Sequence, residues 1–164
     1  MRAWGLPGLN WGVRGYAVEK EGTLYILHFA SHISIMTIFS KIIAGEIPSY
    51  KIAENDKFYA FLDIFPLRKG HTLVVPKIEV DNLFDVPDAY LSEMLVFAKP
   101  IAKAIEKSFD CNRCGISVIG IEVPHAHMHL IPISDANDIN FVQEKLKLSP
   151  DEMKEVQELI IQNL

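Results

Sequence analysis

Residues 123–132 read VPHAHMHLIP, with His125, His127 and His129 at alternate positions and Ala126 and Met128 between them. In a β-strand, side chains two residues apart share one face, about 6.5–7 Å from one another. The three imidazoles then point one way while Ala126, Met128 and Leu130 point into a core. A helix would send His127 to the opposite side, and Pro132 would soon break it. The alternation therefore predicts a strand over residues 125–133.

The stretch GISVIGIEV (115–123) just upstream is rich in β-branched residues and reads as a partner strand. Further back, SYKIAEN (49–55), KFYAFLDI (57–64) and HTLVVPK (71–77) are separated by Asn55-Asp56 and by the turn-forming Pro66 to Gly70, the pattern of an antiparallel meander. Gly70 permits a sharp turn into the last of them. Three helices frame these strands. Ile38, Phe39, Ile42 and Ile43 recur at helical spacing, and Gly45 and Pro48 end that turn. Leu91, Met94, Leu95, Ala98, Ile101, Ala102 and Ile105 form a stripe along residues 87–109, where Pro100 is expected to kink or split the helix. At the C-terminus Ser149, Pro150 and Glu152 have the spacing of an N-cap, a first helical proline and a capping box. The element order predicts an α+β fold with an antiparallel sheet of about five strands and flanking helices.

Residues 1–35 lack any sustained period and stop just before the better organised sequence at Met36. They are read as an N-terminal extension, non-native or poorly ordered, with a short strand around Thr23 to Phe29 as the alternative; His28 and His32 are incidental there. Residues 36–164 are expected to form one domain ending in the C-terminal helix, with Met36 as the functional start. A net charge of −5 excludes an overall basic field that would hold nucleic acid, although a local pocket can still bind a small anion. No apolar run approaches the roughly 18–20 residues of a membrane span, and the N-terminus has no secretory pattern, so a cytoplasmic protein is expected. Cys111 and Cys114 are too few for a disulfide framework. They read as small residues near a strand start, with half a zinc site or a redox pair as alternatives.

Three histidines on one strand face admit three chemistries. They can bind a metal with Glu122 or His71 as a further ligand, since imidazole is a common zinc ligand. One neutral imidazole can attack an electrophile such as phosphorus while its neighbours orient it and stabilise charge. All three can instead be structural, provided each buried nitrogen finds a partner.

The segments IFSKIIAGEIPSYKI, FLDI, GHTLVVPK and GIEVPHAHMHLIP, in that order, resemble the histidine triad (HIT) family of nucleotide hydrolases and transferases. The similarity runs from Thr37 to about Ile133. The resemblance implies a HIT-like fold, a homodimer, and binding of small molecules containing a purine nucleoside monophosphate. It also implies attack on the α-phosphorus by the middle histidine and hydrolysis of the nucleotidyl-histidine by water. By position His127 matches that nucleophile, His125 and His129 the flanking histidines, and His71 the fourth histidine that members often carry. Asp63 matches the carboxylate that accepts from both ribose hydroxyls. Ile38, Phe39, Ile42, Phe61 and Ile64 match the apolar walls of the base pocket.

The chain departs from the family at two points. Thr37 and Ser40 stand where many members carry C-x-x-C, so the structural zinc of those branches is not expected, and no cofactor is required. Glu122 stands where many members carry Ser or Thr beside the phosphate or leaving group. Its charge would repel an anionic substrate unless it is protonated or turned away, and a general-acid role toward the leaving group is one alternative. The expected activity is that of a purine nucleoside phosphoramidase. A dinucleoside polyphosphate hydrolase, a non-catalytic nucleotide-binding interaction protein and a metal enzyme are the rivals.

Overall fold

A computed structural model of the chain describes residues 15–20, 23–28 and 36–164. It divides into two units, residues 1–35 and residues 36–164. In the first, β1 (Gly15–Lys20) pairs antiparallel with β2 (Thr23–His28), Gly15 opposite His28 and Lys20 opposite Thr23. The strand expected around Thr23 is present as far as His28; Phe29 and His32 lie outside the described residues.

In the second unit the alternating runs become β3 (Lys51–Glu54), β4 (Phe58–Leu62), β5 (Thr72–Pro76), β6 (Arg113–Ser117) and β7 (Met128–Ile133). They form one antiparallel sheet in the order β3-β4-β5-β7-β6. Because side chains alternate, each central strand divides its residues between two apolar layers. Phe58, Ala60, Leu62, Val74, Met128 and Leu130 face the larger layer, which is closed by α2 (Asp88–Ser108) and α3 (Pro150–Gln162). Tyr59, Phe61, Leu73 and Val75 face the other, where Phe39 and Ile42 of the six-residue α1 (Ile38–Ile43) pack on them. Burial of each such Leu, Ile, Phe or Met is worth about 1.5–3 kcal/mol relative to exposure.

The α-helices start and stop where their local chemistry dictates. Thr37 caps α1 by accepting from the Ser40 N–H, and Gly45 follows its C-cap with φ +78°, a left-handed conformation suited to glycine. In α3 the Ser149 side chain accepts from Glu152 N–H while the Glu152 carboxylate accepts from Ser149 N–H, the capping box expected from spacing.

Two expectations need correction. Pro100 does not split α2, which runs unbroken over 21 residues. Proline removes the bond to the carbonyl four residues earlier, and here both Pro100 and Val96 are on the exposed side, where water can serve that carbonyl. Leu95, assigned to the buried stripe, is likewise exposed. The second correction concerns the strands flanking the histidines: β6 ends at Ser117 and β7 begins at Met128, so His125 and His127 precede the strand. Gly120 turns the chain with φ +66°, and Pro124 has no N–H to give a ladder. The backbone N–H of Ala126 instead donates to Val80 O at 2.6 Å, and that of His125 to Val123 O at 2.8 Å. Side-chain alternation survives nonetheless, with Met128 and Leu130 in the larger core and His129 opposite Leu73.

Candidate active site

The four histidines named from the sequence gather on the α1 side of the sheet. His71 stands at the head of β5, His129 lies in β7, and His125 and His127 lead into it. All are buried, His71 and His125 almost completely. Neighbouring rings are in contact, His127 and His129 T-shaped with centroids 4.9 Å apart and His71 and His129 tilted at 5.1 Å. Phe39 meets His125 and His127 edge-on at 5.8 and 5.2 Å and Phe61 at 5.5 Å, which ties α1 to the histidines.

Backbone groups fix the tautomer of every ring, because a carbonyl can only accept and a peptide N–H can only donate. His127 Nδ1 is 2.7 Å from the His125 carbonyl, so Nδ1 carries a proton and in the neutral ring the lone pair is on Nε2. His125 Nε2 donates to Pro76 O at 2.8 Å, leaving its Nδ1 to accept from the Thr37 hydroxyl at 2.9 Å. His71 Nδ1 accepts from Leu67 N–H at 3.2 Å, so its Nε2–H donates to His129 Nδ1 at 2.9 Å. His129 is thereby left with its proton on Nε2. Burial, together with the charges of the neighbouring histidines and Lys145, pushes the pKa of both His71 and His129 down to about 3. Burial also lowers that of His125. These three rings are therefore neutral near pH 7, as the tautomers require.

Asp63 follows β4, with Oδ1 accepting from Phe65 N–H at 2.9 Å and its own N–H donating to His71 O at 3.0 Å. Burial pushes its carboxyl above the ordinary range. Its Oδ2 lies 3.6 Å from His71 Nδ1, but that nitrogen bears no proton and the contact is not an ion pair. The apolar residues named for a base pocket separate into two kinds. Phe39, Ile42 and Phe61 are buried together in the smaller layer, whereas Ile38 and Ile64 are about half exposed.

Two sets of side chains at the site offer possible metal ligands. Asp63, His71 and His129 bring three ligand atoms within 4.8 Å of one another. Both ring nitrogens of His71 are engaged, however, and a metal would have to break the Leu67 and His129 bonds. The second set surrounds Thr37 and Ser40. Thr37 Oγ1 lies 3.0 Å from Ser40 Oγ and reaches His125, and Ser40 Oγ donates to Glu79 Oε1, which also accepts from Thr37 N–H at 3.2 Å. Two hydroxyls, a carboxylate and an already occupied imidazole nitrogen do not fit the thiolate and imidazole ligation of structural zinc. Among the described residues neither Cys111 nor Cys114 belongs to a group of three possible metal ligands, and Cys114 packs against the larger core layer rather than the layer that holds α1.

Sequence patterns did not reveal several neighbours of the site. Glu79 joins the Thr37 network from 42 residues away. The Phe141 ring lies 4.8 Å from His129 and 6.3 Å from His71, both edge-on. Lys145 Nζ stands 3.8 Å from Glu122 Oε2, whose side chain is 83% exposed. Residues 141–148 have no period that would have marked either side chain. A cleft of about 450 Å³ is lined by Arg68, Phe109, Asp138 and Leu146 among others, and none of the histidines lines it.

Known proteins resemble this chain in sequence and in fold. A family model described as the HIT domain matches residues 44–136. The chain is 42% identical over 99 residues to the adenosine 5'-monophosphoramidase HNT1 of Saccharomyces cerevisiae, a match covering 60% of this chain and 63% of the yeast protein. Among solved structures, a Hit-like protein of Bartonella henselae involved in cell-cycle regulation aligns with TM-score 0.68 and 32% identity, covering 78% of this chain and 96% of that one. A zinc-bound histidine triad family protein of Mycobacterium smegmatis aligns with TM-score 0.67 and 27% identity, covering 79% and 94%. The five-stranded antiparallel sheet with flanking helices is shared with these structures.

Proposed function

Because the chain belongs to the HIT domain family, we propose that it is a purine nucleotide hydrolase of the nucleoside phosphoramidase type, working through a nucleotidyl intermediate on His127. The observation that carries this is the His127 tautomer: Nδ1–H is held by the His125 carbonyl, so the neutral ring presents its lone pair at Nε2. The yeast relative's phosphoramidase name supports the substrate class.

His127 Nε2 attacks the α-phosphorus. The phosphorus–nitrogen bond to the leaving group breaks, and its electron pair departs with the amine, which takes up a proton from solvent. Water then attacks the phosphorus of the nucleotidyl-histidine and gives a proton back to solvent, releasing the nucleoside monophosphate and returning the lone pair to Nε2. His129 offers its Nε2–H to a phosphoryl oxygen as negative charge builds there. His71 is a positioning residue, since its Nε2–H fixes the tautomer of His129. His125 supplies the carbonyl that orients His127 and is itself held by Pro76 O and Thr37. Asp63 accepts from the ribose hydroxyls. Ile38 and Ile64 at the exposed rim, with Phe39, Ile42 and Phe61 behind them, wall the base. A homodimer would use β6, an edge strand of the sheet, with Ile116 exposed on it and Val118 and Ile119 exposed just beyond.

The test is His127→Ala in the full chain, assayed with adenosine 5'-monophosphoramidate, with mass spectrometry for a nucleotidylated His127 in the wild type. Turnover should fall by several orders of magnitude while AMP affinity changes little. Near-normal turnover in the variant would exclude the assigned nucleophile. Product analysis on diadenosine tetraphosphate separates a polyphosphate hydrolase from a phosphoramidase. AMP binding with neither turnover nor adduct would mark a non-catalytic binding protein.

A further inference from the structure

We propose that Lys145 is a phosphate-binding residue of this site, held by Glu122 in the free protein and passed to the substrate's phosphoryl oxygens on binding. The proposal rests on the nucleotide hydrolase reading above and extends it to a residue outside the histidine cluster.

The segment carrying Lys145 is fixed against the site at two points. Leu146 N–H donates to Pro66 O at 2.8 Å, tying the segment to the turn that leads into His71. Phe141, four residues before Lys145, sets its ring against His129 and His71. Between these anchors the Lys145 side chain is only 31% exposed. Its charge acts on Asp63, His71 and His129, the residues that would surround a bound nucleoside monophosphate.

The partner explains why Lys145 is available. The Glu122 contact is loose, 3.8 Å to a carboxylate that is 83% exposed, whereas Arg68 meets Asp138 at 2.8 Å and Lys77 meets Glu54 at 2.7 Å. An ion pair of that kind adds little stability, so exchanging an exposed carboxylate for phosphate oxygens costs little. Charge points the same way. Asp63 and Glu122 both act electrostatically at the site, and an anionic ligand would meet two carboxylates there if no cation stood between them. Lys145 converts Glu122 from a repulsive neighbour into a holder that releases its cation to the incoming phosphate.

The experiment measures dissociation constants of AMP and of adenosine for the wild-type full chain, Lys145→Gln, Lys145→Arg, Glu122→Gln and the Lys145→Gln/Glu122→Gln double variant. Adenosine shares the base and ribose contacts but lacks the phosphate. Lys145→Gln should weaken AMP by about tenfold, equivalent to about 1.4 kcal/mol, and leave adenosine unchanged. Lys145→Arg should retain most of the AMP affinity, and Glu122→Gln should bind AMP as well as the wild type or better. The double variant should remain as weak as Lys145→Gln. The proposal is overturned by unchanged AMP affinity in Lys145→Gln, by equal losses for AMP and adenosine, or by wild-type AMP affinity in the double variant, which would mean that Lys145 only neutralises Glu122. A wild-type chain that binds no AMP overturns the reading of the site itself, and this proposal with it. A wild type that binds AMP and forms the His127 adduct, with Lys145→Gln indistinguishable from it, overturns the role of Lys145 alone.

Discussion

Acid should unfold this protein through its buried histidines. His71 and His129 are 1% and 7% exposed, and burial pushes both pKa values from 6.5 to about 3. Their folded pKa lies below the unfolded one, so as the pH falls below about 6.5 the unfolded chain takes up protons that the folded chain refuses. Their contribution to stability is therefore complete above about pH 7 and is lost progressively down to about pH 3. Each group costs about 1.36 kcal/mol per pH unit in that window. At pH 5.0 this amounts to about 2 kcal/mol for one histidine and about 4 kcal/mol for the pair, a large share of the roughly 5–15 kcal/mol that holds a domain together. Asp63, whose Oδ2 is 3.6 Å from His71, acts in the opposite sense, since its raised folded pKa favours the folded form as acid is added. Glu122, Lys145 and His127 also face these groups. The assay is urea denaturation of the full chain followed by far-ultraviolet circular dichroism at pH 7.5, 6.5, 5.5 and 5.0. Stability should drop by about 2–4 kcal/mol across the series, and His71→Leu should remove about one group's share of the slope. A flat profile in the wild type, or an unchanged slope in His71→Leu, would refute the account of these histidines as buried and neutral.

Two further expectations concern folding. Gly70 adopts φ +94°, and an added Cβ would overlap the Phe109 ring, so Gly70→Ala should lose about 2–4 kcal/mol in denaturant titration from left-handed strain and overpacking; trimming Phe109 to Ala in the same chain should recover the packing share of that change. Ser149→Ala removes the side-chain acceptor for Glu152 N–H at the start of α3, and thermal unfolding should report a loss of about 1 kcal/mol.

Much of the fold was legible because it rests on local chemistry. Aromatic and β-branched runs bounded by turn residues mark β4 and β5, two-residue alternation marks β7, and the Ser149-Pro150-Glu152 run marks the start of α3. What escaped depends on which way an element faces. Pro100 looked disruptive because sequence does not say that Val96 and Pro100 share the solvent side of α2, where a carbonyl without its helical partner is tolerated. The ends of β6 and β7 were misplaced for a related reason. Their apolar composition continues through residues 118–127, but the backbone of Ala126 finds its partner in Val80, far away in the chain.

The site divides along the same line, and the division bears on which of its parts are robust. The bond that fixes His127 runs to the carbonyl two residues earlier, so the H-x-H spacing itself supplies both the imidazole and its orienting acceptor. This element can form wherever the segment is extended. The tautomer of His129 has a different origin. It is set by His71, which is set in turn by the Leu67 N–H in the turn before β5. No spacing within residues 123–132 could announce it. A change in the Pro66–Gly70 turn therefore reaches His129 without touching the triad segment. On the proposed mechanism it would disturb charge stabilisation on the phosphoryl oxygens before it disturbed His127.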